Sequence, residues 1–202
     1  MNYFLNAISS PILIIPYQDS WVDDFTKIAQ QLRSLLGNMA LRIDHIGSTS
    51  VPGLASKDII DVQITISNLE NCDDLSRNMV AIGGYHQREN VREDHIPIGE
   101  DPEPKEWRKL YFREADNSRR THIHVREIGR QNQIYALLFR DYLRNNIGSV
   151  RLYEQLKYRL AEMFPHKIDS YLYIKDPLCD LIMQSARKWK EEINWSPGAS
   201  DG

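Results

Sequence analysis

Four small or hydroxyl-bearing residues, Gly47-Ser48-Thr49-Ser50, close one apolar stretch and stand shortly before another. Glycine lets the backbone come close to a ligand. Successive backbone N–H groups and hydroxyls can satisfy several phosphate oxygens at once. The next apolar run carries Asp61 and Gln63 on one face, because side chains alternate along a strand. A carboxylate there can bind Mg²⁺ through oxygen, and the phosphates of a ligand would complete the shell. Further on, His122 and His124 alternate with Ile123 and Val125, so two imidazoles share a strand face. Lys57, Arg108, Lys109, Arg113 and Arg126 are the cations available to meet an anion. Of these, Lys57 and Arg113 are best placed, the first as a point charge and the second as a bidentate fork.

Each of these residues also has a plainer reading. The glycines serve any tight loop. Asp61, set in IIDVQITI, can be a carboxylate satisfied by backbone N–H groups or an arginine. The amide of Gln63 fits a structural hydrogen bond somewhat better than a metal. His122 and His124 can belong to a polar layer. His45 lies on the apolar alternation of its run and reads as a core histidine. Arg140, Asp141 and Arg144 read as an exposed helix face with i, i+4 pairing.

Positioning these groups requires a sheet. Trp21, Phe25, Ile28, Ala29, Leu32 and Leu36 recur at helical spacing and predict a helix from Asp19 or Ser20 to Leu36, stopped by Gly37-Asn38. Strands are expected over residues 40–46, 58–66, 108–114 and 121–128, with a short one at 85–90 and a helix over 71–82. Residues 91–106 carry three prolines among charges and predict an exposed, mobile loop. Helices follow over 133–145, 149–164 and 177–193. The fold class is therefore α/β of the mixed α+β kind: a small mixed β-sheet backed by helices, with a C-terminal helical extension. Residues 1–130 form the expected core, 131–195 the extension and 196–202 a flexible tail.

Composition narrows the function classes. A formal net charge of −3 and a pI of about 6.1 give no general drive toward nucleic acid or an anionic membrane, although a local basic face leaves nucleic acid open. Cys72 and Cys179 match no zinc spacing and suit a reduced compartment. The first residues lack a basic start and a small-residue cleavage site. The apolar run 12–15 is closed by Pro16 and is too short to span a bilayer. A cytoplasmic protein is expected.

The stretch Asp44-His45-Ile46-Gly47-Ser48-Thr49-Ser50-Val51-Pro52-Gly53-Leu54, with Lys57, Ile59, Ile60 and Asp61, resembles the signature of the GrpB-like family. The resemblance continues in order through Pro16-Tyr17 with Trp21 and Phe25. Trp107 to Arg113, His122-Ile123-His124-Val125, and Leu138 to Arg144 with Tyr153 and Leu156-Lys157 extend it. The family is similar in fold to nucleotidyltransferases of the polymerase-beta type. The resemblance implies a Gly-Ser pair that holds a triphosphate. It also implies an acidic pair on the next strand and a third carboxylate nearby, holding two metals about 4 Å apart. Here the second acidic position is Gln63, Asp58 stands where the family is expected to prefer proline, and no third carboxylate is evident.

Three functions follow as expectations. The first is a nucleotidyltransferase-like protein. It would bind a nucleoside triphosphate, or another phosphate-bearing small molecule, through Gly47, Ser48, Thr49 and Ser50, and transfer a nucleotidyl group to an acceptor not identified. Asp61, Gln63, His122 and His124 would hold a divalent metal, Mg²⁺ or Mn²⁺ ahead of Zn²⁺; imidazole ligation would shift the preference toward Mn²⁺ or Zn²⁺. Lys57 and Arg113 would join Asp61 in catalysis. The second is an inactive binding or interaction module of the same fold. The third is a metal-dependent phosphohydrolase using the histidine strand.

Overall fold

The computed structural model describes residues 11–202; the reading of residues 1–10 as part of a chain without a leader lies outside them. Five strands form one mixed sheet. They are β1 (Arg42–Ile46), β2 (Ile60–Ile66), β3 (His86–Gln87), β4 (Leu110–Arg113) and β5 (Thr121–Glu127). Their order across the sheet is β1-β2-β5-β4-β3. Only β2 and β5 run parallel; the other neighbours are antiparallel. A parallel pair needs a crossover, which here contains helices α2 (Asp73–Arg77) and α3 (Pro104–Trp107) together with β3 and β4.

Strand alternation divides the sheet into two unlike faces. On one face Ile43, Ile60, Val62, Ile64, Ile66, Phe112, Ile123 and Val125 are buried. Helix α1 (Ser20–Leu36) lays its apolar stripe of Trp21, Phe25, Ile28, Ala29, Leu32 and Leu36 against them. Burying a large apolar side chain of this kind stabilises by about 1.5–3 kcal/mol, so this layer is the main core. The other face carries charged and polar side chains. Three helices lie over it: α4 (Gln131–Asn145), α5 (Ile147–Met163) and α6 (Ile168–Glu192). Their own aromatic residues Tyr142, Tyr153 and Tyr171 are buried. No helix of the described residues is long and apolar enough to cross a membrane.

Three expectations are corrected. Helix α6 begins at Ile168, with Pro177 inside it. Tyr171, Cys179, Met183 and Ala186 are buried on both sides of that proline, so packing outweighs the lost backbone hydrogen bond. Residues 91–106 are not a free loop. Glu93 bridges to Arg108, the Asp94 N–H donates to Trp107 O at 2.9 Å, and Trp107 is buried at the end of α3. The tail, expected to be flexible, has defined partners along the edge strand β1. Gly202 N donates to Ile43 O at 3.0 Å, Ser200 Oγ accepts from Ile43 N at 2.9 Å, and the Asp201 carboxylate accepts from His45 N at 3.0 Å. Covering an edge this way removes unpaired backbone groups from solvent.

His45 is a buried polar residue on the apolar face. Its ring stacks on Phe25 at 4.6 Å and its Nε2 lies 3.0 Å from Thr49 Oγ1. The Thr49 hydroxyl donates to Ile59 O at 3.3 Å, so Nε2 carries the proton and donates to Thr49. Burial pushes the ring's pKa down to about 3. The folded state thus refuses a proton that the unfolded chain accepts near pH 6.5. Stability is expected to be full above about pH 6.5 and to fall as pH drops toward 3, by an order of a few kcal/mol. Urea unfolding of wild type and His45→Gln at pH 7 and pH 4.5 checks this. The wild type should lose distinctly more stability than the variant between the two values, and parallel losses would count against it.

Candidate phosphate and metal site

The pairing register brings the predicted site residues into rows across the polar face. One row runs Ile46, Asp61, His122, Arg113 and His86; the next runs Asp44, Gln63, His124 and Tyr111. Asp61 Oδ1 lies 3.2 Å from His122 Nδ1. Ligand atoms of Asp61, His122 and His124 all lie within 4.8 Å of one another, close enough to surround one metal ion. The loop after β1 approaches the same point. Gly47 has φ +70°, and a Cβ there would stand 2.4 Å from Asp61 Oδ2. Only glycine permits both that backbone and that approach.

The loop divides its hydroxyls. Thr49 is buried and committed to His45 and Ile59. Ser50 donates to Gly47 O at 2.6 Å. Both were expected to meet phosphate, but a loop turning this tightly uses them to satisfy itself. Gly47 and Ser48 alone of the four line the cleft over the sheet.

Gln63 is likewise engaged elsewhere. Its Oε1 accepts from Arg126 at 2.6 Å and its amide donates to Gln133 O at 3.1 Å. With its carbonyl oxygen taken and the residue fully buried, it stands outside the metal cluster. A further carboxylate, Asp94, lines the same cleft. It meets Lys109 at 2.6 Å and Arg126 at 2.9 Å and accepts from Asn132 at 3.0 Å. Burial alone would raise its pKa, but Arg126 and Lys109 hold it far below the usual carboxylate range. No sequence pattern marked Asp94, because it sits among charges in a proline-rich stretch. Burial, reinforced by Lys109 and Arg126, holds His124 well below its ordinary pKa and therefore neutral. Its Nδ1 lies 3.4 Å from both Lys109 Nζ and Arg126 NH2. Asp61 and His122 fit a metal without such competition.

A cleft of about 540 Å³ opens over this cluster, within the roughly 300–1,000 Å³ of small-molecule sites. A larger cavity, about 970 Å³, lies between α1 and the turn after β4 and contains none of the three ligand residues. Lys57, Lys109, Lys157, Lys175 and Arg126 line the cleft and its inner end, facing Asp61, Asp94 and Asp176: five cations against three carboxylates in a chain of net charge −3. Burial pulls Lys157 down to about 7 and lowers Lys57 against the pull of Asp61. An anionic ligand would hold both protonated. Lys57 Nζ rests 5.6 Å from the Tyr171 ring. Arg113, expected to act in the site, does not line the cleft and is bound to Glu114 at 3.1 Å.

The helices hold the loop's backbone. Arg140 donates to His45 O at 3.0 Å, Arg144 to Ser50 O at 2.9 Å, and Lys157 to Ala55 O, while Glu154 accepts from Ala55 N at 3.0 Å. Arg140 is 3% exposed. The expectation of an exposed face at Arg140, Asp141 and Arg144 is thus corrected: loop carbonyls without ladder partners need donors. Strand and helix periodicity does not single these residues out.

Residues 11–185 match the family model described as GrpB protein. The chain belongs to the GrpB family. It is similar to a dephospho-CoA kinase of Mycobacterium tuberculosis, 32% identical over 200 residues that cover 93% of this chain and 49% of that protein. It is also similar to UPF0157 protein YqkA of Bacillus subtilis, 32% identical over 186 residues, covering 92% of this chain and 50% of that one. The chain therefore spans about half the length of these curated relatives. The solved structure of conserved protein GrpB from Enterococcus faecalis superposes with a TM-score of 0.70 at 33% identity, covering 87% of this chain and 98% of its own. The GrpB resemblance expected from the loop and strand residues is met along the chain.

Two outcomes follow for this GrpB-family fold. Gly47→Ala should lower stability by more than about 1 kcal/mol in urea unfolding, since both φ and Asp61 oppose a methyl group; an unchanged midpoint would contradict the close approach. Asp94→Asn leaves Lys109 and Arg126 buried without their carboxylate and should cost roughly 3 kcal/mol. A loss below about 1 kcal/mol in the same measurement would mean that other groups neutralise that pair.

Proposed function

We propose that this GrpB-family chain binds a nucleoside triphosphate, or another phosphate-bearing small molecule, together with one divalent cation in the cleft over β2 and β5. The observation that carries the reading is the excess of cations around a backbone loop pressed against the Asp61–His122 pair. In this reading the Gly47 N–H and the Ser48 hydroxyl hold phosphate oxygens. Asp61 and His122 hold the cation, with His124 as a third ligand. The mixed oxygen and nitrogen set suits Mn²⁺ as well as Mg²⁺. When bound, the cation neutralises phosphate charge and fixes the phosphate oxygens in place. Lys57 adds a charge from the cleft wall, and Arg113, next to His122 in the sheet, would add one on leaving Glu114. Nucleotidyl transfer on this frame is an in-line displacement: an acceptor oxygen bonds to the α-phosphorus as pyrophosphate leaves. A cytoplasmic location accords with two free cysteines and with a triphosphate ligand.

A specific observation favours a second reading, binding without transfer. Gln63 replaces the second acidic position and is hydrogen-bonded, and Asp94 is engaged by Lys109 and Arg126. Asp61 is then the one carboxylate left for a metal among these three, where two-metal chemistry calls for more.

Thermal unfolding with each nucleoside triphosphate, with and without Mg²⁺, Mn²⁺ and Zn²⁺, separates these readings. Ligand at a hundred times its dissociation constant stabilises by about 2.7 kcal/mol. A shift that requires the metal and disappears in Asp61→Ala is expected. The same shift in Asp61→Ala would overturn the metal assignment. A metal-independent shift, with no pyrophosphate released, would mark a binding module.

A further inference from the structure

At Gly47, Ser48, Asp61 and His124 the cleft joins a second chamber of about 250 Å³. Its walls change character. Trp107, Tyr135, Phe139 and Tyr153 line it, with the Tyr135 and Phe139 rings parallel to within 6° at 6.1 Å and Tyr153 edge-on to Phe139 at 5.8 Å. Asn132 lines it too and is 2% exposed. Its Nδ2 donates to Asp94 Oδ2 at 3.0 Å and to Arg108 O at 2.9 Å. Both partners are acceptors, which fixes the orientation of the amide. Its Oδ1 is then a buried acceptor to which no donor among the described residues reaches. Buried acceptors in folded proteins are nearly always satisfied.

We propose that this chamber takes the heterocyclic ring of the nucleotide, with the ring against the aromatic walls. The inference rests on the reading of the outer cleft as a phosphate site and names the other half of its ligand. Three features support it together. The two spaces share residues, so one ligand spans both. The chamber is smaller than the roughly 300–1,000 Å³ of drug-sized sites and suits a single ring system. Aromatic side chains beside a charged groove are how proteins hold a base by stacking, without reading its edge.

Calorimetry on the full chain with Mn²⁺ tests it, using inorganic tripolyphosphate and the four common nucleoside triphosphates as probes. At least one nucleotide should bind about tenfold or more tightly than tripolyphosphate. Ala136→Phe, which places a ring in the chamber without removing a hydrogen bond, should bring that nucleotide down to the affinity of tripolyphosphate and leave tripolyphosphate unchanged. Phe139→Leu, which thins the wall without adding bulk, should produce the same selective loss. Equal affinity of tripolyphosphate and every nucleotide in the wild type would overturn the inference and leave the phosphate reading standing. Equal losses for both kinds of probe in the two variants would also overturn it. No binding of any probe would overturn the phosphate reading and the inference with it.

Discussion

A sheet with one apolar and one charged face can be covered by helices on both sides only if the charges on the second face are neutralised there. That constraint governs this molecule. Lys109 and Arg126 lie under the C-terminal helices, and Asp94 reaches them from outside the sheet, while Gln63 accepts from Arg126 and Asn132 donates to Asp94. Removing two cations from water is costly, and a shared carboxylate with several hydrogen bonds offsets it. The outcome is a rigid polar layer in which Asp61 and His122 sit beside, and not within, the neutralised cluster.

The helical extension does more than cover. Arg140 donates to the His45 carbonyl on the open edge of β1, and Arg144 and Lys157 donate to the Ser50 and Ala55 carbonyls in the stretch that follows. Arg140 also pairs with Asp201, whose residue belongs to the tail along β1. The end of β1, the tail and α4 are thus tied through one guanidinium. This explains how a glycine- and serine-rich loop stays pressed against Asp61: its carbonyls are held by helix side chains. It also makes the core and the extension parts of one site, with Tyr153, Lys157, Tyr171 and Lys175 closing the cleft that β2 and β5 open.

Much of this was legible in the residues. The stripe from Trp21 to Leu36, the alternation through Ile60 to Ile66 and the His122–His124 strand all express short-range periods, and each element forms with its expected face inward. The family signature lay in the same segments. What periodicity could not reveal is partnership. Thr49 and Ser50 look as available to phosphate as Ser48, yet two of the three hydroxyls close the turn. Asp94 looks like one charge among many in a loop, and only the fold brings it to Lys109 and Arg126. Arg140 and Arg144 have the spacing of a solvated face, but their targets are distant in sequence. Pro177 reads as a helix start, because a single residue's preference says nothing of the packing on both sides of it.

The central claim is that phosphate and metal meet where Gly47 and Ser48 approach the Asp61–His122 pair. Anomalous diffraction from crystals grown with Mn²⁺ and a nucleoside triphosphate tests it most directly. The account predicts one strong anomalous peak coordinated by the Asp61 carboxylate and the His122 ring, with phosphate density against Ser48. A peak bound elsewhere, or triphosphate density away from that loop, would contradict it.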